Sequence, residues 1–256
     1  MSISSQRRLP SRRGWPLLLV ATILLAGCDE PGVKEAAAAE LALRSALEEV
    51  KAVEEPWKAF KLLDSRETAA LTSNNPCYQG TCKNVPSWDV SAKERVRLLG
   101  LAVDQNRAEA LAYLYAKGFS TSDEYKPLRR ASVPKLFAYA DNSSGKPEDR
   151  ALLMLAGRLV AEGNETMLDT SRAVGYYARA WAAGEPTAAN AAAMLFLRIN
   201  DQRNAYLWAL RCTGDCQRDN AVALATLQVV LTPEAAKQAQ RVAATPSVVE
   251  LDTSGG

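Results

Sequence analysis

The sequence predicts an all-α fold, built from short helices stacked in pairs. From Ser91 to Ala244 nearly every segment has apolar residues at helical spacing, and the alternation of β-branched residues typical of strands is absent. Breaks recur at Gly118, Gly145, Gly163, Gly184, Asn200 and Gly214, with Pro147, Pro186 and Pro233 near the next starts. Helices of about 10 to 14 residues between such breaks are typical of a helix-pair solenoid.

The first part of the chain predicts a secretory signal peptide, residues 1–27. Four arginines precede an apolar run from Trp15 to Ala26, and this run is shorter than the roughly 20 residues needed to span a bilayer. The arginines are Arg7, Arg8, Arg12 and Arg13. The alternative interpretation is an uncleaved membrane anchor, in which the cysteine that follows the run has no special role.

The apolar run ends in Leu25, Ala26, Gly27 and Cys28, which together resemble the lipobox of bacterial lipoproteins. The resemblance implies that the Cys28 thiol is acylated and that Cys28 becomes the first residue of the mature protein. A multiply acylated cysteine is a stable anchor, so we expect attachment to a lipid bilayer in the bacterial cell envelope. Asp29 resembles the signal that retains lipoproteins in the inner membrane, facing the periplasm; the outer membrane is the alternative.

Composition limits the chemistry available to the mature chain. The sequence contains no histidine, which excludes histidine-activated nucleophiles, histidine metal sites and histidine acid–base catalysis. The signal peptide holds four of the 31 basic residues, which leaves 27 basic residues against 29 acidic ones. This balance gives no reason to expect a nucleic-acid partner. We therefore predict that the protein has no catalytic site, no metal and no cofactor.

Apart from the lipidation site, four cysteines form two local pairs. Cys77 and Cys82 lie in a predicted disulfide loop, residues 73–90, and Cys212 and Cys216 flank Gly214 at a predicted helix end. An even number of cysteines in an exported protein indicates disulfides, and four cysteines allow three connectivities. We favour the two local pairs. A four-thiolate zinc site and a redox-active dithiol are the alternatives, although neither pair has the usual spacing.

A short tether, residues 28–32, precedes a predicted N-terminal helical segment, residues 33–72. The first helix carries one apolar stripe, formed by Leu43, Ala46, Leu47, Val50 and Val53. Pro56 interrupts it, and a more hydrophobic second helix follows, with Trp57, Phe60, Leu62 and Leu63. The first helix is interpreted as a spacer or packing element, with self-association as a coiled coil as the alternative.

A predicted helical-repeat domain, residues 91–244, follows the disulfide loop. Ser91 and Glu94 have the spacing of a capping box, which predicts that a helix begins at Ser91. The connection from Gly118 to Arg150 is interpreted as long and irregular. After the last predicted helix, which ends near Ala244, residues 245–256 are predicted to be a flexible tail.

An internal repeat supports a repeat architecture. Small residues and one aromatic residue recur at a spacing of 32: Ala173, Tyr176, Ala180 and Gly184 match Ala205, Trp208, Cys212 and Cys216. Small residues allow helices to approach closely, and the aromatic side chain fills the gap between neighbouring pairs. We also expect Trp181 to pack in the core rather than to stack on a ligand.

The repeated segments resemble Sel-one-like repeats, which are relatives of the tetratricopeptide repeat. The first-helix pattern is matched by Leu111, Ala112, Tyr115 and Gly118. A weaker copy contains Gly157 and Gly163, and residues 173–184 resemble the second helix. The resemblance implies a right-handed superhelix that binds proteins or peptides on a concave surface. It therefore predicts an interaction scaffold whose partner is another envelope protein.

A rival hypothesis uses charged residues of the middle region. Asp123, Glu124 and Asp141 are the carboxylates that an envelope enzyme or a peptidoglycan-binding factor would use. A basic cluster in the same region, containing Lys126, Arg129, Arg130 and Lys135, is interpreted as an exposed helix face rather than a site for an acidic segment.

Overall fold

The computed structural model describes residues 31–70, 85–116, 123–218, 222 and 224–251. Within these residues all regular structure is helical, with eleven α-helices and no strand, so the predicted all-α class is confirmed. Several predicted features lie outside the described residues: the signal peptide, the lipidation site Cys28, the cysteine pair Cys77 and Cys82, and Gly118.

The helices in chain order are α1 (Pro31–Lys51), α2 (Pro56–Ala70), α3 (Ser87–Asp104), α4 (Ala108–Leu114), α5 (Lys126–Asn142), α6 (Arg150–Glu162), α7 (Thr170–Ala182), α8 (Thr187–Arg198), α9 (Gln202–Arg211), α10 (Leu224–Val230) and α11 (Pro233–Val242). Single 3₁₀ turns lie at Pro147–Asp149 and Gly214–Arg218. The chain forms two compact units, which divide after Arg95, within α3. None of the described helices combines the length and hydropathy needed to cross a membrane.

The first unit is built around the packing of α1 against α2. Leu43, Ala46 and Val50 of the predicted stripe are buried, and so are Phe60 and Leu63 of α2. The stripe therefore packs within the chain, which favours a packing element over a free spacer. The tether predicted at residues 28–32 is shorter than expected, because α1 begins at Pro31. Proline is favourable in the first turn of a helix, since it has no N–H that would be left unpaired.

The predicted start of α3 is wrong by four residues. The helix begins at Ser87, whose backbone N and Oγ donate hydrogen bonds of 2.9 and 2.7 Å to the carboxylate of Glu40. Ser91 lies inside the helix, fully buried, and donates to Glu67 Oε2 at 2.7 Å. The carboxylate of Glu40, on α1, thus accepts the hydrogen bonds donated by the first residue of α3. Ser91 is therefore not the N-cap residue that the capping-box spacing predicts.

In the second unit, each helix from α5 to α9 packs against the next one along the chain. The core between them is rich in alanine, which allows close helix approach. Fully buried alanines are Ala156, Ala173, Ala180, Ala188, Ala189, Ala192, Ala193 and Ala205. Two predicted breaks end helices in the expected way: Gly163 and Gly184 have φ values of +68° and +91°, which glycine adopts without steric cost.

The predicted irregular connection before α6 is corrected by the structure, because it contains the 17-residue helix α5. Pro134 lies inside this helix and cannot donate to the backbone ladder. The helix persists because it buries one side around this proline, including Val133, Leu136, Phe137 and Ala140. Tertiary packing therefore overrides the local breaking signal.

The predicted flexible tail is also corrected for its first seven residues. Residues 245–251 pack on α9, and Leu251 is 7% exposed. Its backbone N donates to Asn204 Oδ1 at 2.6 Å. The polar, proline-containing sequence favours an unstructured tail, whereas side chains of α9 supply the hydrogen bonds that hold it in place.

Candidate functional site

An open groove lies on the second unit, where α6, α7 and α8 meet. It encloses about 570 Å³. Its lining residues are Arg158, Ala161, Glu162, Tyr177, Ala191, Met194, Leu195, Leu197 and Arg198. Most of these side chains are apolar, and Met194 is 52% exposed. We refer to this surface as the α6–α8 groove.

The wall of the groove depends on the close approach of α6 and α7. Gly157 of α6 is buried against Tyr177, and a Cβ added at Gly157 would lie 2.6 Å from Tyr177 Cε1. Glycine at this position therefore leaves room for the tyrosine ring beside the α6 backbone. With a side chain at position 157 the ring would have to move.

Tyr177 remains protonated in this setting. Burial of its ring, together with the nearby Glu162 carboxylate, raises the pKa of the phenol to about 12. A phenol with this pKa is neutral at physiological pH, so it cannot serve as a base there. The residue supplies an aromatic wall with one hydroxyl group.

Two arginines at the groove have fixed positions, because their guanidinium groups donate hydrogen bonds to carbonyls at the C-terminal ends of other helices. Arg158 Nη2 donates to the carbonyl of Tyr115, the C-cap residue of α4, at 2.7 Å. Arg198 Nη2 donates to the carbonyl of Ala161, in the last turn of α6. Cations are favoured at helix C-termini, where carbonyls lack partners within the helix. The same interaction thus links α4 to α6 and α6 to α8.

The groove therefore combines an apolar surface with fixed positive charge. Arg158 Nε lies 4.0 Å from Glu162 Oε1, so one carboxylate offsets part of the charge. Chemically, this arrangement can bury an apolar side chain and accept a carboxylate from the same ligand. Among the described residues, no three cysteine, aspartate or glutamate side chains lie together in a way that could hold a metal ion.

The predicted repeat-packing residues lie mostly in the core. Those that are buried are Leu111, Tyr115, Gly157, Ala173, Tyr176, Ala180 and Trp208. Ala112 is half-buried, and Gly163 and Gly184 end α6 and the turn after α7. Trp181 is half-buried and meets Trp208 edge-on, with ring centroids 5.8 Å apart. Two residues of this set affect the α6–α8 groove. Gly157 leaves room for the Tyr177 ring, and the carbonyl of Tyr115 accepts the hydrogen bond of Arg158.

Two pairs of positions at the 32-residue spacing make related contacts. Both aspartates cap the helix that follows them, and both arginines donate to a helix C-terminus, Arg179 to that of an earlier helix and Arg211 to that of a later one. Asp169 and Asp201 cap α7 and α9, because each side chain accepts from a backbone N three residues later. Arg179 donates to the carbonyl of Ser143, the C-cap residue of α5, at 2.6 Å. Arg211 donates to the carbonyl of Ala243, the C-cap residue of α11, at 3.0 Å.

The second predicted cysteine pair lies immediately after α9. The Sγ atoms of Cys212 and Cys216 are 2.03 Å apart, at disulfide distance, and both residues are buried. This agrees with the predicted local pairing at the end of a helix. For this pair, the geometry leaves no thiol available to a zinc site.

The structure does not bring the predicted carboxylates together. Asp123 precedes α5 and pairs with Lys126, whereas Asp141 lies in the last turn of that 17-residue helix. A helix of this length spans about 25 Å, so the two carboxylates cannot share a site. Asp141 accepts from Arg172 at 3.1 Å and from the Tyr176 hydroxyl at 2.5 Å. The structure therefore holds Asp141 in a hydrogen-bonded contact with α7 and does not place Asp123 and Asp141 in one site.

The predicted basic cluster is likewise divided among separate ion pairs. Arg129, predicted to be exposed, is buried at 8% exposure and pairs with Glu165. Lys135 donates to Asp104 Oδ1 at 2.7 Å. Arg130 is exposed. Long-range pairing, which local sequence does not encode, explains why the cluster is not one uniform face.

Sequence reasoning missed the residues that define the groove. Arg158 and Arg198 stand near the ends of two first helices, and Met194 is an apolar residue on an otherwise well-buried helix. The 32-residue recurrence does not mark them, because the arginines at that spacing are Arg179 and Arg211, which do not line the groove. No protein-family model matches the chain, and comparisons with curated proteins and with solved structures find no match.

Proposed function

We propose that this protein is a lipid-anchored scaffold of the bacterial cell envelope, which binds another protein through a body of Sel-one-like helical repeats. The α6–α8 groove is the observation that carries the proposal. It presents an exposed methionine together with two arginines whose positions are fixed by hydrogen bonds to other helices. Methionine adapts its shape to different partners, and fixed guanidinium groups give such a surface specificity.

The repeat architecture is supported by the contacts of equivalent arginines. Arg158 and Arg198 each donate to the C-terminal end of the helix two positions earlier, and Arg179 does the same for α7 and α5. In a right-handed helix-pair solenoid, equivalent helices of successive units lie side by side, so such links are expected. Arg211 differs, because it donates to the C-cap residue of the later helix α11. The number of units is three in this proposal, beginning at α4, α6 and α8.

The anchor belongs to the proposal on sequence grounds. Acylation of Cys28 would hold the body at a membrane, and Asp29 favours the inner membrane with the body in the periplasm. The bilayer and one envelope protein are then the two partners. The groove itself favours a partner segment that offers an apolar side chain beside a carboxylate, because the two arginines outnumber Glu162.

Crosslinking in cells tests the scaffold function. A photoreactive phenylalanine analogue replaces Met194, and the same analogue at Met167 serves as the control, since Met167 is 87% exposed and does not line the groove. We expect a discrete crosslinked protein for the first variant alone. Met194→Glu should abolish its capture, while Met167→Glu should leave it unchanged.

Two outcomes of the crosslinking experiment would contradict the scaffold function. If the Met194 variant captures cell-wall fragments and no protein, the protein is a peptidoglycan-binding factor. If both positions capture the same set of proteins to the same extent, the groove has no specific partner and the proposal fails.

A further inference from the structure

A second surface of this unit holds the chain's own C-terminal segment. Residues 243–251 run from the end of α11 across α9, where they meet Asn204, Trp208 and Arg211. We call these three side chains the α9 site. Arg211 packs against two indole rings, with its guanidinium carbon 4.8 Å from the centroid of Trp181 and 4.4 Å from that of Trp208.

The α9 site recognises the segment through its backbone. Arg211 donates to the carbonyls of Ala243, Thr245 and Val248 at 3.0, 2.9 and 2.6 Å, and Trp208 Nε1 donates to Val249 at 2.9 Å. Asn204 contacts both backbone groups of Leu251: Oδ1 accepts from N at 2.6 Å, and Nδ2 donates to O at 3.4 Å. All six hydrogen bonds go to main-chain atoms of the segment.

Backbone recognition does not depend on the sequence of the bound segment. The segment turns back on itself, since the Val248 amide donates to the Thr245 carbonyl at 3.2 Å. Main-chain hydrogen bonds therefore supply affinity for a peptide that can adopt this turned backbone, and pockets for individual side chains supply specificity. Leu251 is 7% exposed, so an aliphatic side chain fills the one position at which burial selects the ligand. A different peptide with an aliphatic residue there could make the same hydrogen bonds.

The chain's own segment leaves part of Arg211 unsatisfied. Nη1 is buried and has no hydrogen-bond partner, and no ion pair joins this arginine to a carboxylate among the described residues. Burial also lowers the pKa of the guanidinium to about 10. An unpaired buried donor and an uncompensated buried charge both cost free energy. A carboxylate of the ligand would accept a hydrogen bond from Nη1 and would also compensate the positive charge of the guanidinium.

We propose that the α9 site binds a peptide that adopts the turned backbone of residues 243–251 and carries an aliphatic and an acidic residue, and that residues 243–251 occupy the site until such a peptide displaces them. This inference goes beyond the proposed function, because it concerns a different surface from the α6–α8 groove. Met194→Glu should therefore leave it unaffected, and the failure of either proposal can be distinguished from the failure of the other.

The test uses the full chain and two synthetic peptides. One peptide has the sequence of residues 243–251, and the other carries Val248→Asp, next to the carbonyl that Arg211 Nη2 holds. The attached segment competes at high effective concentration, so the native chain should bind either peptide weakly. Leu251→Asp removes the buried aliphatic contact of the attached segment. We expect this variant to bind the acidic peptide at least about tenfold more tightly than the native chain does.

Matched variants and a second measurement on the native chain keep the test interpretable even if one variant misfolds. In the Leu251→Asp chain, Arg211→Lys should abolish peptide binding, whereas Arg179→Lys, at the equivalent position of the preceding unit, should leave it intact. In the native chain, saturating acidic peptide should speed hydrogen exchange at the Leu251 amide by at least about fivefold. The Gly163 amide, which donates to Leu159 within α6, should not change.

Three results would overturn the proposal. Equal affinity of the native and Leu251→Asp chains would show that the attached segment does not occupy the binding site. An acidic peptide that binds no more tightly than the unmodified one would reject the carboxylate. If neither chain binds a peptide and exchange at Leu251 does not change, the α9 site only fixes the C-terminal segment.

Discussion

Gly157 of α6 and Tyr177 of α7 are in contact only because position 157 has no side chain: an added Cβ would lie 2.6 Å from Tyr177 Cε1. We expect Gly157→Ala to displace the tyrosine ring and to lower the free energy of unfolding by about 1–3 kcal/mol, the usual cost of overpacking. Urea denaturation of the two proteins measures this difference.

Gly175, on α7, provides the matched control. A Cβ added there meets no atom within 4 Å. Because alanine favours the helix interior over glycine, Gly175→Ala should raise the free energy of unfolding by about 0.5–1 kcal/mol. If both alanine variants shift stability in the same direction and by the same amount, the close approach of α6 and α7 is not what requires glycine at position 157.

The Cys212–Cys216 disulfide should stabilise the protein only modestly. It closes a very short loop, and loop entropy gives a contribution of about 2 kcal/mol. The double variant Cys212→Ala, Cys216→Ala should therefore fold, with a free energy of unfolding lower by about that amount. Mass spectrometry of nonreduced peptides checks the pairing directly. Detection of either cysteine joined to Cys77 would contradict the local disulfide.

Stability should fall in alkaline solution because buried tyrosines resist ionisation. Burial raises the pKa values of Tyr139, Tyr176 and Tyr177 to about 12, whereas tyrosine in an unfolded chain has a pKa of about 10. Above pH 10 the unfolded chain loses protons that the folded chain keeps. Their contribution is therefore complete below about pH 10 and is lost as the pH rises toward about 12.

Tyr177→Phe tests this linkage for one residue. The variant keeps the aromatic ring against Gly157 and removes the ionisable group. Its free energy of unfolding should decline less steeply between about pH 10 and about pH 12 than that of the native protein. Urea midpoints measured across this range give the two slopes, and identical slopes would mean that Tyr177 ionises equally in the folded and unfolded chains.

Membrane attachment should depend on Cys28 alone, and the choice of membrane on the residue after it. Cys28→Ser should release the body from the membrane fraction if the proposed acyl chains are its anchor. Asp29→Ser should move the lipidated protein from inner-membrane to outer-membrane fractions on a density gradient. Retention of the Cys28→Ser protein in the membrane would support an uncleaved signal segment, and native protein that travels with outer-membrane markers would refute the inner-membrane prediction.

The local sequence pattern was sufficient to predict the parts of the fold that depend on residues close together along the chain. The all-α class follows from helical periodicity, and the helix ends at Gly163 and Gly184 follow from glycine's freedom to adopt positive φ. Ala173 and Ala180, singled out for their size and spacing, are fully buried in the core. Each of these features is decided within a few residues along the chain.

Tertiary structure alone decided the features that depend on distant partners. Ser87 begins α3 because Glu40, 47 residues away, supplies the acceptor, and Leu251 is ordered because Asn204 is present at the same separation. The groove arginines were equally undetermined, since the carbonyl that Arg198 holds lies 37 residues away. Periodicity reports which side of a helix is buried, whereas the partner of a polar side chain is fixed only when the helices pack.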